Sequence, residues 1–228
     1  MKLWIFGDSF SAKRQQDLHD YKILWHEELG KRLQAELVYK SNFGLSNDYI
    51  YRELLENIQN IQHDDYVLIQ YTEKNRQYFF TEHPDCGNYH ALCNMSDSQI
   101  LELGLDKKVK NAVKEYIKYL QNDDADNIRY HQLLLATGGL FQEITTNNIR
   151  LFSGFEKVNG VKGCLNNVSW NEYKNKQQHF TADQIDLRQN HISEANHIIL
   201  ANKLSYWFDE PGKMLDLEQG FEHSFIGD

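Results

Sequence analysis

The chain has 228 residues, a formal net charge of −9, and 41% hydrophobic against 25% charged residues. That suits one sizeable domain, and an acidic balance repels phosphate backbones, so nucleic acid is excluded as a general partner. Three cysteines are too few for a disulfide scaffold, and no apolar run is long enough for a secretory signal or a membrane span. The expectation is a soluble, cytoplasmic protein without membrane association.

Residues 2–6 open the chain as a short, unbroken apolar strand, which runs into Gly7-Asp8-Ser9-Phe10. Residues 21–34 carry Ile23, Leu24, Leu29 and Leu33 near helical spacing, and residues 35–39 turn β-rich. A second helix is predicted over 46–61, with Ser46 or Asn47 as its cap and Ile50, Leu54, Leu55 and Ile58 as its stripe. Residues 66–71 read as a buried strand introduced by Asp64-Asp65. Residues 73–105 show little periodicity and read as a long aromatic and His-rich excursion over one end of the sheet. A helix follows over 107–120, then a break at 122–124, a helix over 126–144, in which Leu133-Leu134-Leu135 alone could be a strand, and a strand over 149–152. Residues 154–180 are irregular, 193–208 form a helix, and 209–228 read as an extended tail.

Strands that alternate with helices predict a mainly parallel sheet flanked by helices, with the domain over 1–208 and the tail over 209–228. Two interior strands are expected, 2–6 and 66–71, because strands buried on both faces read as continuous apolar runs. Ligands of such sheets bind beyond the C-terminal strand ends. Ser9 and Thr72 both sit just past such an end.

A serine nucleophile needs a base, usually histidine, and a group that orients that histidine. Near the other end of the chain stands Asp186-Leu-Arg-Gln-Asn-His191-Ile-Ser193-Glu-Ala-Asn-His197, an acid and a histidine leading into a capped helix. Gly7-Asp8-Ser9-Phe10 after an N-terminal strand, paired with this distant Asp…His run, resembles the SGNH/GDSL hydrolase family. The resemblance implies a flavodoxin-like three-layer α/β/α sandwich and a Ser-His-Asp triad that cleaves esters, thioesters or acetylated sugars without a cofactor. It implies Ser9 as nucleophile, His191 as base and Asp186 as the orienting acid, with Asp183 in reserve. It also implies an oxyanion hole built from the backbone N–H groups of Ser9 and Gly44 and a side-chain donor from a third block.

Two positions depart from the family pattern. The usual asparagine of the third block is replaced by Thr72, so the donor is Thr72, Asn75 or Arg76. The acid is usually three residues before the histidine, where Arg188 stands. These departures leave open a catalytically weak glycan-binding or structural protein on the same fold. His197 reads as a helix-surface or packing residue and not as a catalytic one. His83, Cys86, His90 and Cys93 are typical zinc-ligand types, but their spacing is too tight for two knuckles and Pro84 interrupts them, so no metal is assigned. Tyr78, Phe79, Phe80 and Tyr89 suit either a sugar or an acyl group, so the expected partner is a small-molecule or carbohydrate ester. Leu215, Phe221 and Phe225 give the tail apolar anchors for docking on a partner.

Overall fold

A computed structural model describes residues 1–13, 23–42, 44–79, 90–92, 107–153 and 194–210, with Lys213, Leu215, Leu217, Gly220 and Phe221. The described elements are β1 (Lys2–Gly7), α1 (Trp25–Arg32), β2 (Glu36–Ser41), α2 (Asn47–Asn57), β3 (Tyr66–Tyr71), β4 (Gln77–Phe79), β5 (His90–Leu92), α3 (Lys107–Tyr119), α4 (Asp123–Leu140), β6 (Ile149–Ser153) and α5 (Glu194–Asp209). A single 3-10 turn, Ile58–Asn60, extends α2.

Four strands form one parallel sheet in the order β2-β1-β3-β6. Both expected interior strands are interior. Their apolar runs divide by the period of two. Leu3 and Ile5 point to one face, where they pack with Trp25 and Leu29 of α1 and Leu200, Leu204 and Trp207 of α5. Trp4 and Phe6 point to the other, against Ile50 and Leu54 of α2 and Tyr130 and Leu134 of α4. The result is three layers, helix on sheet on helix.

Two polar side chains tie down the N-terminal edge of the sheet. Asp65 accepts hydrogen bonds from the Lys2 N–H (2.7 Å), the Trp4 indole (2.9 Å) and the Gln62 N–H (3.1 Å). Burial opposes ionisation of Asp65, but these donors and the N-terminal ammonium outweigh it and hold the carboxyl below its ordinary range. Arg150 on β6 is buried. It donates to the carbonyls of Trp207 (3.0 Å) and Phe208 (3.1 Å) in the last turn of α5. Its guanidinium satisfies carbonyls that have no partner within the helix, where the helix dipole also favours a cation.

Three sequence expectations need correction. The break expected at Asn122-Asp123-Asp124 falls earlier, at residues 120–122: Asn122 caps α4 by accepting from the Ala125 N–H (2.8 Å), and Asp123 and Asp124 form its first turn. Acids there suit the positive helix end. Within 73–105, β4 and β5 form an antiparallel pair outside the main sheet. In the predicted tail, Leu215, Leu217 and Phe221 are buried in the α1/α5 face of the core. The packed unit therefore runs past residue 208, and Leu215 and Phe221 are occupied within the chain instead of being offered to a partner. Phe225 lies outside the described residues. Among the described residues, no helix is long and apolar enough to cross a membrane.

Candidate active site

β1 ends in a tight turn over Gly7–Ser11, closed by the Ser11 N–H on the Asp8 carbonyl (3.0 Å). Gly7 is required by crowding: a Cβ there would lie 2.8 Å from Ser11 Oγ and 3.1 Å from Gln70 Oε1. Ser9 is half-buried at the C-terminal edge of the sheet, and Asp8 beside it is wholly buried. β2 braces the turn, with the Ser41 hydroxyl on the Ser11 carbonyl (2.7 Å) and the Asn42 N–H on the Gly7 carbonyl (3.3 Å).

The Asp8 carboxylate is the centre of the cluster. Oδ1 accepts from the Phe10 N–H (3.0 Å) and the Gln70 amide (3.0 Å). Oδ2 accepts from the Thr72 hydroxyl (2.7 Å) and Arg76 Nη1 (3.0 Å). The Gln70 carbonyl oxygen in turn accepts from the Ser11 hydroxyl. A carboxylate cut off from water is costly unless its lone pairs are filled, and here each oxygen has two donors.

Gly44 lies between β2 and α2 with φ at +71°, a conformation that glycine adopts without a Cβ penalty, and nothing stands within 4 Å of a Cβ position. α2 starts three residues later, capped by Ser46, whose hydroxyl accepts from the Tyr49 N–H (3.4 Å). Asn47 is buried and joins α2 to the end of β3. Its Oδ1 accepts from the Thr72 N–H (2.7 Å), and its Nδ2 donates to the Thr72 carbonyl (3.1 Å).

The segment after β3, Thr72 to Arg76, is therefore held from inside by Asp8 and Asn47. From outside, Arg129 of α4 donates to the carbonyls of Lys74 (3.0 Å) and Arg76 (3.4 Å). Arg129 also pairs with Asp48 (3.6 Å) and Asp126 (3.5 Å). Burial raises the Asp48 carboxyl above its ordinary range despite that arginine.

The sequence-predicted third donors separate here. Thr72 is wholly buried with its only hydroxyl proton on Asp8, so it is not free to donate to a substrate oxygen. Arg76 Nη1 is likewise engaged, by Asp8 and by the Leu45 carbonyl (3.4 Å). The half-buried Asn75 is different. Its carbonyl accepts from Gln121 (3.2 Å), but its side-chain amide makes no hydrogen bond to any described residue.

Asp183, Asp186 and His191 lie outside the described residues, as do His83, Cys86 and Cys93; His90 falls in β5. His197 is buried in the first turn of α5, where its Nδ1 accepts from the Trp25 N–H (3.1 Å). It thereby caps α1, whose own preceding residue, Leu24, has no capping side chain. The Trp25 indole donates to the Phe10 carbonyl (2.8 Å). Among the described residues, no three His, Cys, Asp or Glu side chains gather as a metal site.

Sequence reasoning gave Gln70 and Arg129 no part, named Asp8 only within the opening motif and weighed Asn47 only as a cap. Gln70 carries a usable signal: one amide in an apolar central strand must find buried partners.

No protein-family model matches the chain, and no curated protein matches it. Among solved structures it is similar to a protein of Desulfitobacterium hafniense DCB-2, provisionally described as lipolytic and of the G-D-S-L family. The two are 13% identical, with a TM-score of 0.43, over 90% of this chain and 98% of the other. A likeness of that size assigns neither an activity nor a site.

Proposed function

We propose that the chain is a serine hydrolase of the SGNH/GDSL type that cleaves an acyl ester of a small molecule or a carbohydrate. In this reading the Ser9 hydroxyl attacks the acyl carbon while His191 takes its proton, and Asp186, or Asp183 in its place, orients the imidazole. The ester C–O bond breaks, the histidine proton passes to the departing alcohol, and water then releases the acyl group by the same steps.

The observation that carries the reading is the hydrogen-bonded path Phe10–Trp25–His197. It brings the first turn of α5 beside the Ser9 turn, and Arg150 holds the other end of α5 at the opposite edge of the sheet. His191 precedes Glu194, the first residue of α5, by three positions. Three residues span at most about 11 Å. That short separation in sequence supports a reading in which His191 acts on Ser9.

The oxyanion hole takes the N–H groups of Ser9 and Gly44, with the Asn75 amide as third donor in place of Thr72. Ser9→Ala is expected to abolish both ester turnover and labelling by a fluorophosphonate probe. Asn75→Ala should lower kcat by about 100- to 1000-fold with little change in KM, as for a donor that acts on the transition state. Wild-type protein that fails to label at Ser9 would sink the hydrolase reading.

A further inference from the structure

Arg76 sits where three separate segments meet. Its Nη1 donates to Asp8 Oδ2 (3.0 Å), which precedes Ser9 in the chain, and to the carbonyl of Leu45 (3.4 Å), which follows Gly44. Arg76 itself follows Asn75. One nitrogen therefore contacts, or belongs to, the residue next to each of the three oxyanion donors. The Asp8 carboxylate completes the link, because its other oxygen accepts the Phe10 N–H and so spans the two peptide planes on either side of Ser9. A side chain that bonds the N–H two residues on holds the intervening backbone in one turn conformation. The Arg76 side chain is only 14% exposed, and Asp8 is sealed, so water competes weakly for this pair.

We propose that Asp8 and Arg76 are positioning residues that set the spacing of the Ser9, Gly44 and Asn75 donors; this rests on the hydrolase reading above. The pair needs no contact with substrate. Arg76 is not offered to an anionic substrate either, since Asp8 balances its charge and Glu73 lies 3.9 Å from Nη2. What depends on it is the distance between donors that must converge on one oxygen, where a displacement of about 1 Å can cost about 100-fold in rate.

The test follows the rate of fluorophosphonate labelling at Ser9, and ester kcat and KM, in Arg76→Gln, Arg76→Lys, Asn75→Ala and the Asn75→Ala/Arg76→Gln double variant. Urea midpoints report the fold. Arg76→Gln is expected to slow labelling and kcat by about 100-fold with little change in KM. Arg76→Lys should recover part of that loss, since an ammonium can still pair with Asp8 but lacks the guanidinium fork. In the Asn75→Ala background, Arg76→Gln should cost much less than it does alone, because one donor that it positions is gone. A bystander role in folding would not produce that coupling. Asp8→Asn serves as an independent check if it folds; Arg76→Lys, a milder change, decides the matter if it does not. Two outcomes overturn the proposal while the hydrolase reading stands: wild type labels and Arg76→Gln labels equally fast, or the Arg76 and Asn75 losses simply add. A wild type inert at Ser9 overturns both.

Discussion

At the scale of single residues, the buried polar side chains do the joining that an apolar core cannot. Asp65 is the clearest case for a pH effect. Its folded carboxyl titrates below its ordinary range, so the unfolded chain binds the proton more readily. Its contribution is therefore present above the unfolded pKa and is lost as pH falls through the folded one. Asp65→Asn should cost about 2 kcal/mol at neutral pH, the scale of hydrogen bonds to a charged group. The difference should fade in strong acid, as read by urea titrations across the acid range. Equal losses at neutral and strongly acid pH would show that the charge is irrelevant there. Asp8 shows why site residues escape a linear reading. Its four donors come from Phe10, Gln70, Thr72 and Arg76, and only the placing of β1 beside β3 brings them together. Ser9 and Gly44, by contrast, stand in local motifs, so their positions after β1 and before α2 were legible. Thr72 was legible as a position but not as a partner of Asp8, because a hydroxyl's direction is set by what surrounds it.

At the scale of elements, β1 and β3 could be read from their apolar runs, and α2 from its stripe and its Ser46 cap. The start of α4 was misread because Asn122, Asp123 and Asp124 interrupt the apolar period, although a cap followed by acids is how a helix begins. The β4–β5 pair was missed because three-residue strands are too short to show a period. α5 is held at both ends, by His197 on the Trp25 N–H and by Arg150 on the Trp207 and Phe208 carbonyls. Arg150→Met keeps the apolar stem but strips the last turn of its donors. It should lower stability by about 3 kcal/mol, the cost of leaving two buried carbonyls unsatisfied, as measured by urea denaturation. A change under half a kcal/mol would mean that water takes the arginine's place. Under the proposed hydrolase reading, in which His191 stands three residues before α5, the same substitution should also lower Ser9 labelling under conditions where the fold persists.

At the scale of the whole molecule, the sheet and its two helical layers were legible from alternation alone, whereas the closing segment was not. Leu215 and Leu217 stand two apart and Phe221 four further on, so the three share no single period, and their apolar character does not say what they pack against. Removing residues 210–228 should leave the α1/α5 face without them. Each such side chain contributes about 1.5–3 kcal/mol when buried, and the three together rival the 5–15 kcal/mol that holds an ordinary domain folded. The shortened chain should show no cooperative thermal transition by circular dichroism; a transition near that of the full chain would mean that these contacts are dispensable. The same packing has a consequence in time. Leu3 and Phe221 share one apolar cluster although 218 positions separate them. A ribosome adding about 5–20 residues per second leaves about 10 to 45 seconds between the two. For that interval β1 and α1 have left the ribosome before the chain that covers them exists. Their bare surface is where chaperones, or other copies of the chain, meet the nascent protein first.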